Sequence, residues 1–143
     1  MQFELIISEN CQEKVVVYAK ERTALISEIE KLLNETDTEL NGYIDREVVR
    51  LNISQIYCFV VENNKVFAVT HKDKFMVKAR LYQLEEKYGE TFVKINQSCM
   101  VNIKQIAKFD VSFTGTLNVR MKNGYNDYVS RRNIKKVKER LGL

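Results

Sequence analysis

"FVKINQSCMVNIKQIAKFD", Phe92 to Asp110, decides how this chain is read. It starts as an alternating strand, then breaks into the polar triplet Asn96-Gln97-Ser98. The apolar trio Cys99-Met100-Val101 follows, and then a further amide, Asn102. A polar insert between two apolar segments has two readings: it houses a nucleophile, or it is an edge that touches a partner. Asn102 is expected to hold backbone, and Cys99–Val101 to form a buried turn.

The nucleophile reading fails on its partners. A catalytic Ser or Cys needs a base within reach, and His71 is the single histidine, placed in a Lys/Asp-rich turn. Ser98, at an expected strand-to-helix junction, lacks the glycines that let a nucleophile elbow bend. Cys11, Cys58 and Cys99 are far apart. They give neither a disulfide framework nor metal-ligand spacing, and they read as small buried hydrophobes. There is no glycine-rich phosphate loop and no paired-acid arrangement. The expectation is no enzyme, no catalytic residue, no metal and no cofactor.

The partner reading is favoured by charge. The 143 residues are 45% hydrophobic and 29% charged, with a net charge of +4. Residues 1–40 carry nine acids and four bases, net −5, so 41–143 carry +9. That asymmetry points to a basic functional domain behind an acidic front piece. No apolar run reaches the roughly 18 residues of a membrane span. The start, "MQFELIISENCQEK", is unlike a signal peptide; a cytoplasmic protein is expected.

Periodicity supplies the elements. "FELIIS" and "KVVVYA" read as strands, Phe3–Ser8 and Lys14–Ala19, around the turn "ENCQE". Leu25, Ile29, Leu32 and Leu33 mark one helix face, with Thr23 as N-cap. "NETDTELNG" closes that helix and separates an extension, 1–40, from the main domain, 41–143. Short strands follow: "EVVRLNI", "QIYCFVVE", "VFAVT" and "FMVKA", with the tight turn Asn63–Lys65 between the second and third. This spacing predicts a mainly β (α+β) domain. Leu81, Leu84 and Tyr88 share a helix face, with Gly89 as its C′ residue. After "IAKFDVSF" and "TLNVRM", Asn123-Gly124 predicts a two-residue type I′ turn. "SRRNIKKVKERLGL" predicts a final helix, capped by Ser130 and ended by Gly142. No internal repeat is visible.

That last helix carries the basic surface. Arg131 and Arg132 fall in its first turn, where free N–H groups attract phosphate. Lys135 and Lys136 lie off the Ile134/Val137/Leu141 face. Arg can also chelate guanine in the major groove. Nucleic acid is the partner class these residues favour; the alternative is a protein- or membrane-interaction module using the same basic face.

The segments Leu81–Glu86, Phe92–Ile106 and Asn123–Arg132 together resemble the LytTR DNA-binding domain of bacterial transcription regulators. The family's marks are an "sL.eLe" helix, "F.RiHrSyiVN...I" and "nG...pvSRr". The resemblance covers Gly42 to Leu143. It implies three small antiparallel sheets with short helices, reading double-stranded DNA through loops in successive grooves. Carried over residue by residue, it implies base reading by Asn64, beside Lys65, in the first loop. The second loop is Lys94 through Ser98, with Asn96 and Gln97 reading bases. The third is Ser130–Asn133, with Arg132 in the major groove and Arg131 beside it. "KINQS" replaces the common "R.HRS", and Lys94 for Arg forgoes bidentate bonding. The resemblance is to the stand-alone group without a receiver domain, whose front end has two strands and a helix. It implies imperfect direct repeats in DNA, a possible homodimer, and a small membrane protein from the same operon as a partner. The Leu25/Ile29/Leu33 stripe makes the extension the candidate dimerisation or regulatory part.

Overall fold

The computed structural model describes residues 2–10, 14–33 and 38–143. Cys11, most of the 9–13 turn and the expected helix end at 34–37 lie outside them. The chain divides into two compact units, 1–35 and 36–143.

In the first unit, Ala24–Leu33 forms α1. Thr23 caps it as expected, its Oγ1 accepting the Ile26 N–H at 3.3 Å. The two expected strands are not formed: residues 3–8 and 14–19 carry no ladder. A short apolar, β-branched run has strand character, but a strand exists only when paired. A lone two-stranded hairpin is marginal in water.

The second unit is built on antiparallel pairing. Its strands are β1 (Glu39–Ile44), β2 (Glu47–Asn52), β3 (Cys58–Glu62), β4 (Lys65–Val69), β5 (Lys74–Val77), β6 (Phe92–Asn96), β7 (Cys99–Asn102), β8 (Ile106–Val111), β9 (Leu117–Met121) and β10 (Asn126–Tyr128). Two helices accompany them, α2 (Leu81–Tyr88) and α3 (Arg131–Leu141). The first seven strands make one sheet in the order β2-β1-β5-β4-β3-β7-β6, and the rest make β10-β9-β8. Three sheets were expected and two are found. The physical reason is one residue pair, Tyr43↔Met76, which joins the β1–β2 hairpin to the other five strands.

Alternation along the central strands sorts side chains to two faces. Phe59, Met100 and Phe92 meet Leu81, Leu84 and Tyr88 of α2. Cys58, Val60, Cys99, Val93 and Ile95 face the other way. There they pack on Leu117, Val119 and Met121 of β9 and on Val137 of α3. The result is α2, the large sheet, then the small sheet with α3. The Cys99–Val101 segment is therefore a strand, not a turn, with Cys99 opposite Val60.

Three turns differ from the sequence reading. Asn41-Gly42 looks like a turn but lies inside β1. A Cβ on Gly42 would come within 2.6 Å of Leu51 Cδ1 and 2.7 Å of Phe75 Cβ, so the residue marks a close approach rather than a bend. The hairpin turns instead after Ile44, where Asp45 has φ +51°. Asn123-Gly124 is not type I′ either, because only Gly124 has positive φ, at +89°. Met121 N–H bonds the Tyr125 carbonyl at 2.7 Å, which makes a three-residue loop, Lys122–Gly124, with Gly124 left-handed. The type I′ signature belongs to Asn63 and Asn64, with φ of +50° and +61°. Gly89 ends α2 with φ −63° and is not left-handed, whereas Gly142 ends α3 at φ +68° as expected.

A short repeat also escaped the sequence reading. "NI.QI" occurs at Asn52–Ile56 and again at Asn102–Ile106. Each copy is a 3₁₀ turn whose leading Asn accepts a backbone N–H two residues on, from Ser54 at 3.0 Å and from Lys104 at 3.1 Å. The copies differ in burial. Asn52 is exposed, whereas Asn102 is buried and its Nδ2 donates to the Ile56 carbonyl at 3.0 Å. Thus the second turn's Asn ties down the end of the first turn. Asn102→Ala leaves a buried carbonyl unpaired and should cost about 1–3 kcal/mol. Asn52→Ala loses a solvent-exposed cap and should cost about 1 kcal/mol or less. Urea denaturation of the two variants checks the order; equal losses would show that the buried bond adds nothing.

Candidate nucleic-acid interface

The three loops named in the sequence lie at one end of the large sheet. β3 leads into the Asn63-Asn64 turn and β7 leads out of the Gln97-Ser98 turn. These strands are antiparallel neighbours, with Val60 opposite Cys99. Val61 N–H donates to the Ser98 carbonyl at 2.8 Å and ties the two turns side by side. The third segment is joined by two bonds. Ser130 N–H donates to the Ile95 carbonyl at 2.8 Å. Asn96 Nδ2 donates to the Tyr128 carbonyl at 2.9 Å. The start of α3 is thereby fixed against the end of β6, and the three segments form a continuous rim.

Asn96 is not at the surface, contrary to the sequence reading. It is 2% exposed. Its Nδ2 holds Tyr128, and its Oδ1 accepts the Ser98 N–H at 2.8 Å. Both ends of the amide are engaged, because a buried polar group left unpaired is costly. Asn96 therefore shapes the turn from within. The apex left to meet a partner is Gln97 and Ser98, both exposed. Asn64 and Lys65 are also exposed, and Lys94 is half-buried.

At α3, Ser130 occupies the N-cap position but does not cap with its hydroxyl. Its Oγ accepts from Asn133 Nδ2 at 2.6 Å, and its carbonyl accepts the Asn133 and Ile134 N–H groups at 2.9 and 3.2 Å. Ser130 and Asn133 are half-buried and engage each other. Arg131, Arg132, Lys135 and Lys136 are exposed. Together with Lys65 and Lys94 they make six cations, none ion-paired to a carboxylate of the described residues. Arg140 is different. Its guanidinium bonds the carbonyls of Gly89 and Glu90 at 2.7 and 3.2 Å, pinning α3 to the end of α2.

Two further cations were missed. Val66 pairs with Val77, so Lys78 follows β5 at the level of Lys65. Asn64, Lys65, Lys78 and Arg80 line one open cleft of about 340 Å³ with no carboxylate in its wall. Lys78 Nζ lies 4.5 Å from the centre of the Tyr43 ring. Gln83 Oε1 accepts the Arg80 N–H at 2.9 Å, which sets the start of α2. Only the β4–β5 register brings these cations to the first loop, and register is not written in spacing alone.

Nothing at the rim resembles a nucleophile. Ser98 is the exposed apex of a strand-to-strand turn. Cys99 is buried beside Cys58, and the hydrogen bond its thiol donates to the Cys58 sulfur, then burial, pushes its pKa far up and keeps it protonated. A neutral buried thiol is inert.

Comparison with known proteins gives one answer. Residues 46–142 match the family model of the LytTr DNA-binding domain. A transcriptional regulator of Staphylococcus aureus strain NCTC 8325 is 34% identical, over 100% of this chain and 99% of the relative. Its counterpart in strain MW2 is 33% identical over the same shares. Both relatives are named as HTH-type regulators, although among the described residues of this chain no helix directly follows another. A solved LytTr DNA-binding domain, from a methyl-accepting/DNA response regulator of Bacillus cereus, has the same fold. The TM-score is 0.71 at 17% identity, over 75% of this chain and 99% of that one. The chain belongs to the LytTR family, and residues 46–142 are its LytTr DNA-binding domain.

Proposed function

We propose that the chain regulates transcription by binding a specific double-stranded DNA site with this rim. The observation that carries the proposal is the locking together, by backbone and Asn96 hydrogen bonds, of three exposed segments bearing six cations with no carboxylate partner among the described residues. A fixed row of cations suits the regular spacing of phosphates, and exposed amides and Arg suit base edges. In this reading Arg132 binds guanine, and Gln97 and Asn64 contact bases. Lys65, Lys94, Arg131, Lys135 and Lys136 hold phosphates, and Ser98 assists. Asn96, Ser130 and Asn133 position these groups.

The family resemblance supports an arrangement on imperfect direct repeats. Self-association through residues 1–35, along the Leu25/Ile29/Leu33 stripe, would place two copies on such a site. A small membrane protein from the same operon would supply the input. Action in the cytoplasm belongs to the same proposal; among the described residues no helix is long and apolar enough to cross a membrane.

Selection of bound sequences from random DNA, followed by mobility shift on the winner, is the test. Retention by anionic lipid or protein with no preference among DNA sequences would replace this reading with a docking module. Neutralising about six phosphates should give a slope of log affinity against log salt of about −5. Arg132→Ala should cost about 1–3 kcal/mol on the selected site and relax one base position. An equal loss on random DNA would make Arg132 a phosphate clamp. Gln97→Ala should leave the melting temperature unchanged and alter base preference. Asn96→Ala should lower stability by about 1–3 kcal/mol, since it orphans a carbonyl and an N–H. If Asn96→Ala instead kept full stability and changed only base preference, the positioning role would be wrong.

A further inference from the structure

The tip of the β8–β9 hairpin, Ser112–Thr116, stands at the same end of the domain as the rim. Val129 N–H donates to the Leu117 carbonyl at 2.7 Å, and Val129 lies between Tyr128, held by Asn96, and Ser130, held to β6. The tip therefore continues the row of the three loops. It is tightly made. Ser112 N–H bonds the Thr116 carbonyl and Gly115 N–H bonds the Ser112 carbonyl, both at 2.9 Å. Ser112 Oγ meets Thr114 Oγ1 at 2.8 Å and the Thr116 N–H at 3.0 Å. Gly115 supplies the left-handed residue, with φ +82°.

This ordered turn holds Phe113 fully in solvent, next to the exposed Val111. A single exposed apolar side chain means little; here the surroundings give it a direction. Between the tip and α3 lies an open cleft of about 290 Å³. Thr114 and Thr116 line one wall, and Ser130 and Arg131 the other. Tyr128, itself half exposed, is part of the lining. No carboxylate contributes, and the nearby Asp110 is paired with Lys108 at 3.6 Å. A wall of hydroxyls and guanidinium flanked by aromatic rings is complementary to a sugar–phosphate backbone. A second copy of the same wall would bring arginine to arginine.

We propose that this hairpin tip is a fourth DNA-contacting element. Arg131 and the threonine hydroxyls hold a backbone phosphate in the cleft, and Phe113 packs against the adjoining deoxyribose in the groove. The proposal rests on the DNA-binding reading above and adds to it an apolar contact that the loops do not provide.

The two kinds of contact separate by salt. Apolar packing displaces no counterions, whereas each neutralised phosphate contributes about −0.9 to the slope. On the selected DNA, Phe113→Ala should weaken binding roughly tenfold, the low end for burying a phenylalanine ring. Its salt slope, melting temperature and sedimentation should match the parent protein, and Phe113→Tyr, which keeps the ring, should restore binding. Arg131→Ala should flatten the slope by about one unit. Unchanged affinity of Phe113→Ala at every salt concentration overturns the proposal. So does a change in the free protein's sedimentation, which would make Phe113 a self-association contact. A parent protein that selects no sequence at all would remove the underlying reading instead.

Discussion

The buried carboxamide of Asn96 is the constraint on which the rest of this surface depends. Taking an amide out of water is tolerable only if its donor and acceptor find partners. Asn96 meets that condition by bonding across 32 residues to Tyr128 and locally to Ser98. One side chain thus sets the Gln97-Ser98 turn and fixes where the chain enters α3. The Ser130–Ile95 bond repeats the attachment one residue earlier on β6 and two residues beyond Tyr128. Arg131 and Arg132 then have a defined origin relative to Gln97. Loops can recognise a rigid duplex only if their backbones are held in place before contact, because ordering them on binding would cost affinity.

Much of the fold was legible. β3, β4 and β5 announce themselves as short apolar segments with polar turns between them, β6 and β9 by alternation, and α3 by its apolar stripe and terminal Ser and Gly, whereas β7 reads as a turn. The misreadings share a cause, which is that local signals were overridden by pairing. Asn41-Gly42 carries a turn signature, yet Gly42 is there because Leu51 and Phe75 crowd β1. Asn123-Gly124 carries another, yet the register of β9 with β10 demands a third loop residue. Residues 3–8 and 14–19 are short apolar, β-branched runs and find no ladder. For Gly42 and for residues 3–8 and 14–19 the deciding partner lies far along the chain or is missing, whereas the Asn123-Gly124 loop is decided by the register of its own two strands.

The candidate site divides the same way. The exposed cations of α3 follow from helical periodicity, and Asn63-Asn64 from turn chemistry. Burial of Asn96 could not be read, because a polar triplet between strands looks the same whether its first member turns in or out. The motif match carried Asn96 to a base-reading position, whereas packing gives it to the scaffold. Lys78 and Arg80 went unnoticed for a related reason: they join the first loop only through the register of β4 with β5.

The division of labour inside the Asn96-Gln97-Ser98 turn has an evolutionary consequence. Its shape is dictated from below, by a side chain that never reaches the surface, while its chemistry is displayed from above by a side chain the fold does not need. A substitution at Gln97 changes what is displayed and leaves the platform intact. Asn64 and Arg132 stand in the same relation to the strands and bonds beneath them. If the rim reads DNA as proposed, new preferences can arise one side chain at a time, without passing through an unfolded intermediate sequence. A lineage with this architecture can diversify its targets while its framework stays still.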